Sequence, residues 1–197
     1  MTKKEALIQA WNEDLTFEKY MHIMSELVKQ KKTSGPVQST ALIEYTKLNF
    51  SRSKRWLKQA KPSERLINLT QKKFHKVLAI TEAWCGDTAQ NLPFFEQLCQ
   101  QLNVPYHLCF RDEHPELMNH FLTNGGKAIP IVIFMDEQFN VITTWGPRPK
   151  PLQEKVLAYK QQPEPKASYE EFAISIHEWY HSDRMQTLDQ ELIKLFS

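Results

Sequence analysis

Cys85 is the side chain best placed to do chemistry in this sequence. It stands in Thr81-Glu82-Ala83-Trp84-Cys85-Gly86-Asp87-Thr88, where an apolar run ends and a helical pattern begins. A thiol at a helix start faces free backbone N–H groups and the positive end of the helix dipole, so it is expected to ionise readily and attack as a thiolate. Thr88, one helical turn on, can donate a hydroxyl hydrogen bond to that thiolate. Lys127 and Arg148 fall on loops that read equally as carrying solvated charges or, if the strand order brings them to the same end of the sheet, as favouring the thiolate and holding an anionic ligand. Cys99 and Cys109 read as small buried hydrophobes. Cys99 would lie roughly 21 Å down the helix at 1.5 Å per residue, beyond the ~7 Å Cα separation that a disulfide tolerates. A mixed disulfide on Cys85 therefore has no local thiol to resolve it.

Other reactive patterns read as structure. His177-Glu178-Trp179-Tyr180-His181 matches the H-E-x-x-H zinc pattern, but Thr187 stands where one protease class supplies a further His, and a catalytic zinc needs a third protein ligand. Phe172, Ile176 and Trp179 explain the segment as a packing helix. No metal or cofactor is expected. Lys47, Arg52, Lys54, Arg55, Lys58 and Lys61 read as a solvated helix face rather than a nucleic-acid surface, because the net charge is only +2 and stacking aromatics are not interleaved. Asn49 and Arg52 interrupt the stripe between Tyr45 and Trp56 and are candidates to line a cleft. No stretch approaches the ~18 apolar residues of a membrane span. The N-terminus lacks a signal-peptide core, and three cysteines suit a reducing compartment. The expected location is the cytoplasm.

These residues need elements to hold them. Up to Lys73 the pattern is helical. Thr16, Ser39 and Ser63 are candidate caps, and Thr33-Ser34-Gly35-Pro36 and Pro62 are stops. From Lys76 the period changes. Lys76–Thr81 reads as a buried strand, Gly86 to about Gln101 as a helix, Pro105–Phe110 as a strand, Pro115–Leu122 as a helix, Ile129–Phe134 and Val141–Trp145 as strands, and Leu152–Lys160 as a helix. Residues 161–165 read as a linker, and Ser168 caps a last helix to about Phe196, broken near Ser182. A helical crossover makes the first two strands parallel, and the short loop at 136–140 makes the last two an antiparallel hairpin. The expected architecture is α/β: a four-stranded mixed sheet over residues 74–162 with helices on both faces, an N-terminal helical extension over 1–73, and a C-terminal helical extension over 163–197 packed on the same domain.

With that order in place, the chain resembles the thioredoxin family. Trp84-Cys85-Gly86 is similar to the start of its Trp-Cys-Gly-x-Cys motif, at the same strand-to-helix junction. Pro93 sits where the family kinks that helix, Ile129-Pro130 stands at the place of its cis-proline, and Gly146 follows the fourth strand. The resemblance runs from about Phe74 to Gln162. A longer signature, with Asn124-Gly125-Gly126-Lys127-Ala128-Ile129-Pro130 and Trp145-Gly146-Pro147-Arg148-Pro149, is similar to a bacterial subgroup that carries helices on both sides of the core. The resemblance implies a thioredoxin-like fold, with Trp84, Cys85 and Thr88 at catalytic positions. Gly86, Asp87, Lys127, Ile129, Pro130 and Arg148 would then border the substrate groove. Two departures matter: Thr88 replaces the second cysteine, and Ala79 stands where the family has a buried acid. The implied role is monothiol redox or thiol exchange, in which a small thiol such as glutathione or a protein cysteine is the partner and no autonomous dithiol reduction occurs. If the chain is an enzyme, it is a monothiol thiol-disulfide oxidoreductase. The alternative is a non-catalytic binding module for a peptide, a protein or a small thiol.

Overall fold

The computed structural model of the chain describes residues 1–164 and 167–197; Pro165, the end of the expected linker, lies outside them. Four helices precede the first strand: α1 (Lys3–Trp11), α2 (Phe17–Lys29), α3 (Thr40–Gln59) and α4 (Glu64–Thr70). The hydroxyls of Thr2, Thr16, Ser39 and Ser63 each accept the backbone N–H three residues on, which satisfies a donor that the first turn otherwise leaves orphaned. Then come β1 (Lys76–Thr81), α5 (Gly86–Leu102), β2 (Tyr106–Phe110), α6 (Pro115–Asn119), β3 (Ile131–Met135), β4 (Val141–Trp145) and α7 (Lys150–Gln161). The C-terminal segment forms α8 (Tyr169–Asp183) and α9 (Gln186–Phe196).

The sheet order is β2-β1-β3-β4. β1 is parallel to β2 and antiparallel to β3, and β4 is antiparallel to β3. This is the mixed α/β sheet that the sequence implies. Side chains alternate across it. Val77, Ala79, Val132 and Phe134 meet α2, α3, α5 and α9, while Leu78, Ile80, Ile131 and Ile133 meet α1 and α6. β1 and β3 are covered on both faces and read as continuous apolar runs, whereas the edge strand β4 alternates between half-buried and exposed positions.

Several details differ from the sequence reading. β3 starts at Ile131 rather than Ile129, since Pro130 has no N–H to give a ladder. α6 ends at Asn119, short of Leu122. The buried face of α3 is Thr46, Asn49, Ser53 and Trp56, because this helix packs along α5, and Leu42 and Tyr45 turn toward a cleft. Arg184 and Met185 are both left-handed, with φ 51° and 65°, and this pair separates α8 from α9. Gly146 has φ +130°, and a Cβ there would lie 2.2 Å from the carbonyl oxygen of Pro130. Only glycine fits so close an approach. Among the described residues no helix is long and apolar enough to cross a membrane.

Candidate functional site

The loop between β1 and α5 is pinned on several sides. Glu82 is buried. Its Oε1 accepts the N–H of Asp112 at 3.0 Å, and its Oε2 accepts the hydroxyl of Ser34. The same Ser34 oxygen accepts the N–H of Ala83 at 2.8 Å, and Asn49 Nδ2 donates to the Ala83 carbonyl at 3.2 Å. Burial holds the Glu82 carboxyl above its usual range. Arg52 donates to Asn49 Oδ1 at 3.2 Å. Asn49 and Arg52 therefore brace this loop from behind, and neither lines the cleft.

Cys85 caps α5 from extended backbone, with φ −77° and ψ 116°. It is 7% exposed, and its S–H donates to the Ile129 carbonyl at 3.4 Å. The Ile129–Pro130 bond is cis. The Thr88 hydroxyl accepts from Thr81 at 2.9 Å, and Thr88 favours the thiolate through both its hydroxyl and its N–H. These donors do not win. Burial first, and the charge of Asp87 second, push the thiol up to about 11, whereas the helix-start argument anticipates a lowered value. The physical reason is desolvation: a thiolate stripped of water loses more than a helix terminus returns. Burial also holds Cys99 and Cys109 well above the usual thiol range, and all three cysteines are free.

Asp87 and Arg148 are engaged with each other. Arg148 donates to Asp87 Oδ2 from Nε at 3.0 Å and from Nη2 at 2.5 Å, and its Nη1 reaches Gln153 at 2.6 Å. The other carboxylate oxygen of Asp87 accepts the Tyr180 hydroxyl at 2.7 Å. Asn91 Nδ2 donates to Tyr180 Oη at 3.0 Å and to the Asp87 carbonyl at 2.7 Å. Tyr180 lies on α8, so this network fastens α8 across the start of α5.

Between them lies a cleft of about 520 Å³. Trp84, Cys85, Gly86, Asp87, Lys127, Ile129 and Arg148 all border it, so seven of the nine residues nominated from sequence converge there. Thr88 and Pro130 are buried behind them. Sequence reasoning missed the opposite wall, where α7 and α8 contribute Tyr159, Lys160, Phe172, Ile176, His177 and Tyr180. The one available signal was the Ser168–Glu171 capping box, which places α8 but does not orient it. His177 lines the cleft while His181 is exposed, and among the described residues no three His, Cys, Asp or Glu side chains cluster to hold a metal.

A family model described as Thioredoxin matches residues 35–165, a span that takes in α3 as well as the sheet. Two solved structures are similar. One is a protein of unknown function from Pseudomonas aeruginosa, 14% identical, matched over 91% of this chain and 95% of that one with a TM-score of 0.52. The other is an HIV epitope-scaffold protein, 15% identical, matched over 91% and 96% with a TM-score of 0.53. At such identity the likeness shows the fold alone. No curated protein matches the chain.

Proposed function

The chain belongs to the thioredoxin family, and on that premise we propose that it performs monothiol thiol–disulfide exchange through Cys85 on a small-molecule partner in the cytoplasm. The single-cysteine motif and the helices on both sides of the sheet fit the bacterial subgroup with the longer signature. The observation that carries the reading is the position of Cys85 at the floor of a cleft of about 520 Å³, a size usual for small-molecule sites, with Thr88 in place of a resolving thiol. The Cys85 thiol gives up its proton, and the thiolate attacks one sulfur of a disulfide R–S–S–R. One S–S bond forms to Cys85, the other breaks, and R–S⁻ leaves and takes up a proton. A second small thiol, as its thiolate, then attacks the mixed disulfide and returns Cys85 as a thiolate. No net electrons are gained by the protein.

A second reading, a binding module without turnover, draws on the raised, enclosed thiol. One experiment separates the two. The protein is incubated with the neutral 2-hydroxyethyl disulfide and weighed intact, then treated with 2-mercaptoethanol. Exchange predicts one adduct, absent in Cys85→Ser and released by the thiol. An unmodified protein after prolonged incubation sinks the exchange reading in favour of the binding module.

A further inference from the structure

We propose that this cleft selects a small anionic thiol or disulfide, its negative groups received by Lys127 and Lys160 at the mouth; this rests on the Cys85 exchange reading. The ionisable side chains bordering the cleft include Asp87, Arg111, Lys127, Arg148, Lys160 and His177. Their charges do not cancel. The one carboxylate among them, Asp87, is consumed by Arg148 and Tyr180. Arg111 is held by Asp112 Oδ1 at 2.8 Å and lies over the Trp84 ring, 4.9 Å from its centroid. Burial disfavours the charged form of His177. Lys127 and Lys160 are left, and among the described residues neither has a carboxylate within ion-pair distance. The remaining wall is apolar, from Trp84, Ile129, Val156, Phe172 and Ile176.

A site with an apolar body, a reactive sulfur at its floor and two uncompensated cations at its rim complements a compact anion. It repels a cation and gains nothing from a neutral molecule. The class is further narrowed by α8. This helix contributes Phe172, Ile176 and Tyr180 to the cleft that Cys85 also lines, and a cleft of this size suits a compact ligand better than an extended polypeptide. Lys160 comes from α7, a residue that no motif around the cysteine points to.

The test compares rates of mixed-disulfide formation on Cys85 for three small disulfides: the doubly anionic glutathione disulfide, the neutral 2-hydroxyethyl disulfide and the doubly cationic cystamine. Each lysine acting at the rim is expected to contribute about fivefold, the effect of a unit charge pair near 4 Å in water. The anionic probe should therefore exceed the neutral one by roughly 25-fold at low salt, with the advantage shrinking as salt is added. Lys127→Ala and Lys160→Ala should each lower the ratio of the glutathione disulfide rate to the 2-hydroxyethyl disulfide rate by about fivefold. Lys127→Glu combined with Lys160→Glu should turn the preference toward cystamine. Both lysines are exposed, so the variants should fold. Equal rates for the three probes in the wild type, or a preference that survives the double charge reversal, overturn the proposal and leave the exchange reading standing. Failure of all three probes to modify Cys85 sinks the exchange reading and this one with it.

Discussion

Tyr180→Phe should open the cleft. α8 spans fifteen residues, and among those described Tyr180 is its only buried one. Its other ties are weaker: the Tyr159 ring stacked on Phe172 at 3.8 Å, and Lys155 donating to the Ser175 carbonyl at 3.3 Å. The Tyr180 hydroxyl is bonded to a carboxylate at 2.7 Å, and a hydrogen bond to a charged group contributes about 1.5–3 kcal/mol. Losing it shifts the equilibrium between seated and lifted α8 by roughly 10- to 150-fold, at 1.36 kcal/mol per decade. Cys85 is only 7% exposed, so iodoacetamide is expected to reach it faster from the lifted state than from the seated one. Its alkylation at pH 8 should therefore accelerate by about tenfold or more, following the local opening equilibrium rather than global unfolding. Hydrogen exchange read by mass spectrometry should show the gain confined to α8. Unchanged alkylation in a variant whose α8 amides do exchange faster would refute the reasoning, since Cys85 would then be reached by some other path.

Glu82→Gln tests the loop anchor through pH. The folded carboxyl sits above its ordinary value, so as pH rises the unfolded chain releases its proton first and the native state binds more. Stability contributed at this site is then full below the ordinary carboxylate range and is lost as pH climbs through the raised value. The substituted side chain keeps a carbonyl for the Asp112 N–H and an amide for Ser34, so thermal melts of the variant should decline less steeply with pH than the wild type; parallel curves would refute the assignment. Thr88→Cys restores a Cys-x-x-Cys pair at a helix start and should give dithiothreitol-driven insulin reduction clearly above that of the wild type, which is expected to be nearly inactive. The rate should stay modest while α8 is seated and Ala79 supplies no acid, and should rise when Tyr180→Phe is added. A wild type as active as the variant would remove Cys85 from the chemistry.

The sequence made the sheet legible because burial on both faces leaves a simple trace. Val77 to Ile80 and Ile131 to Met135 are unbroken apolar runs, and a hydroxyl residue caps each of the four helices before β1. The candidate site was legible for a related reason: Cys85 sits at a strand-to-helix junction, and Lys127, Ile129 and Arg148 follow on loops that border the same cleft. What failed was the sign of an energy. A helix terminus is visible in one dimension, but the water it must compete with is not. One wall of the cleft over Cys85 is α8, which lies far from it in sequence and is tied down by the Tyr180 hydroxyl, the Tyr159–Phe172 stack and Lys155. The same blindness hid the pairing of Asp87 with Arg148, since two residues named as separate ligand contacts became one internal ion pair. Their mutual neutralisation moves the uncompensated charge outward to Lys127 and Lys160. If the proposed exchange occurs, a thiol raised by burial and covered by α8 must be reached either by lifting of α8 or by entry of the ligand through the cleft. The alkylation and charge-series experiments distinguish those two routes: charge preference that persists in Tyr180→Phe means the rim selects, whereas preference lost on opening means the seated helix does.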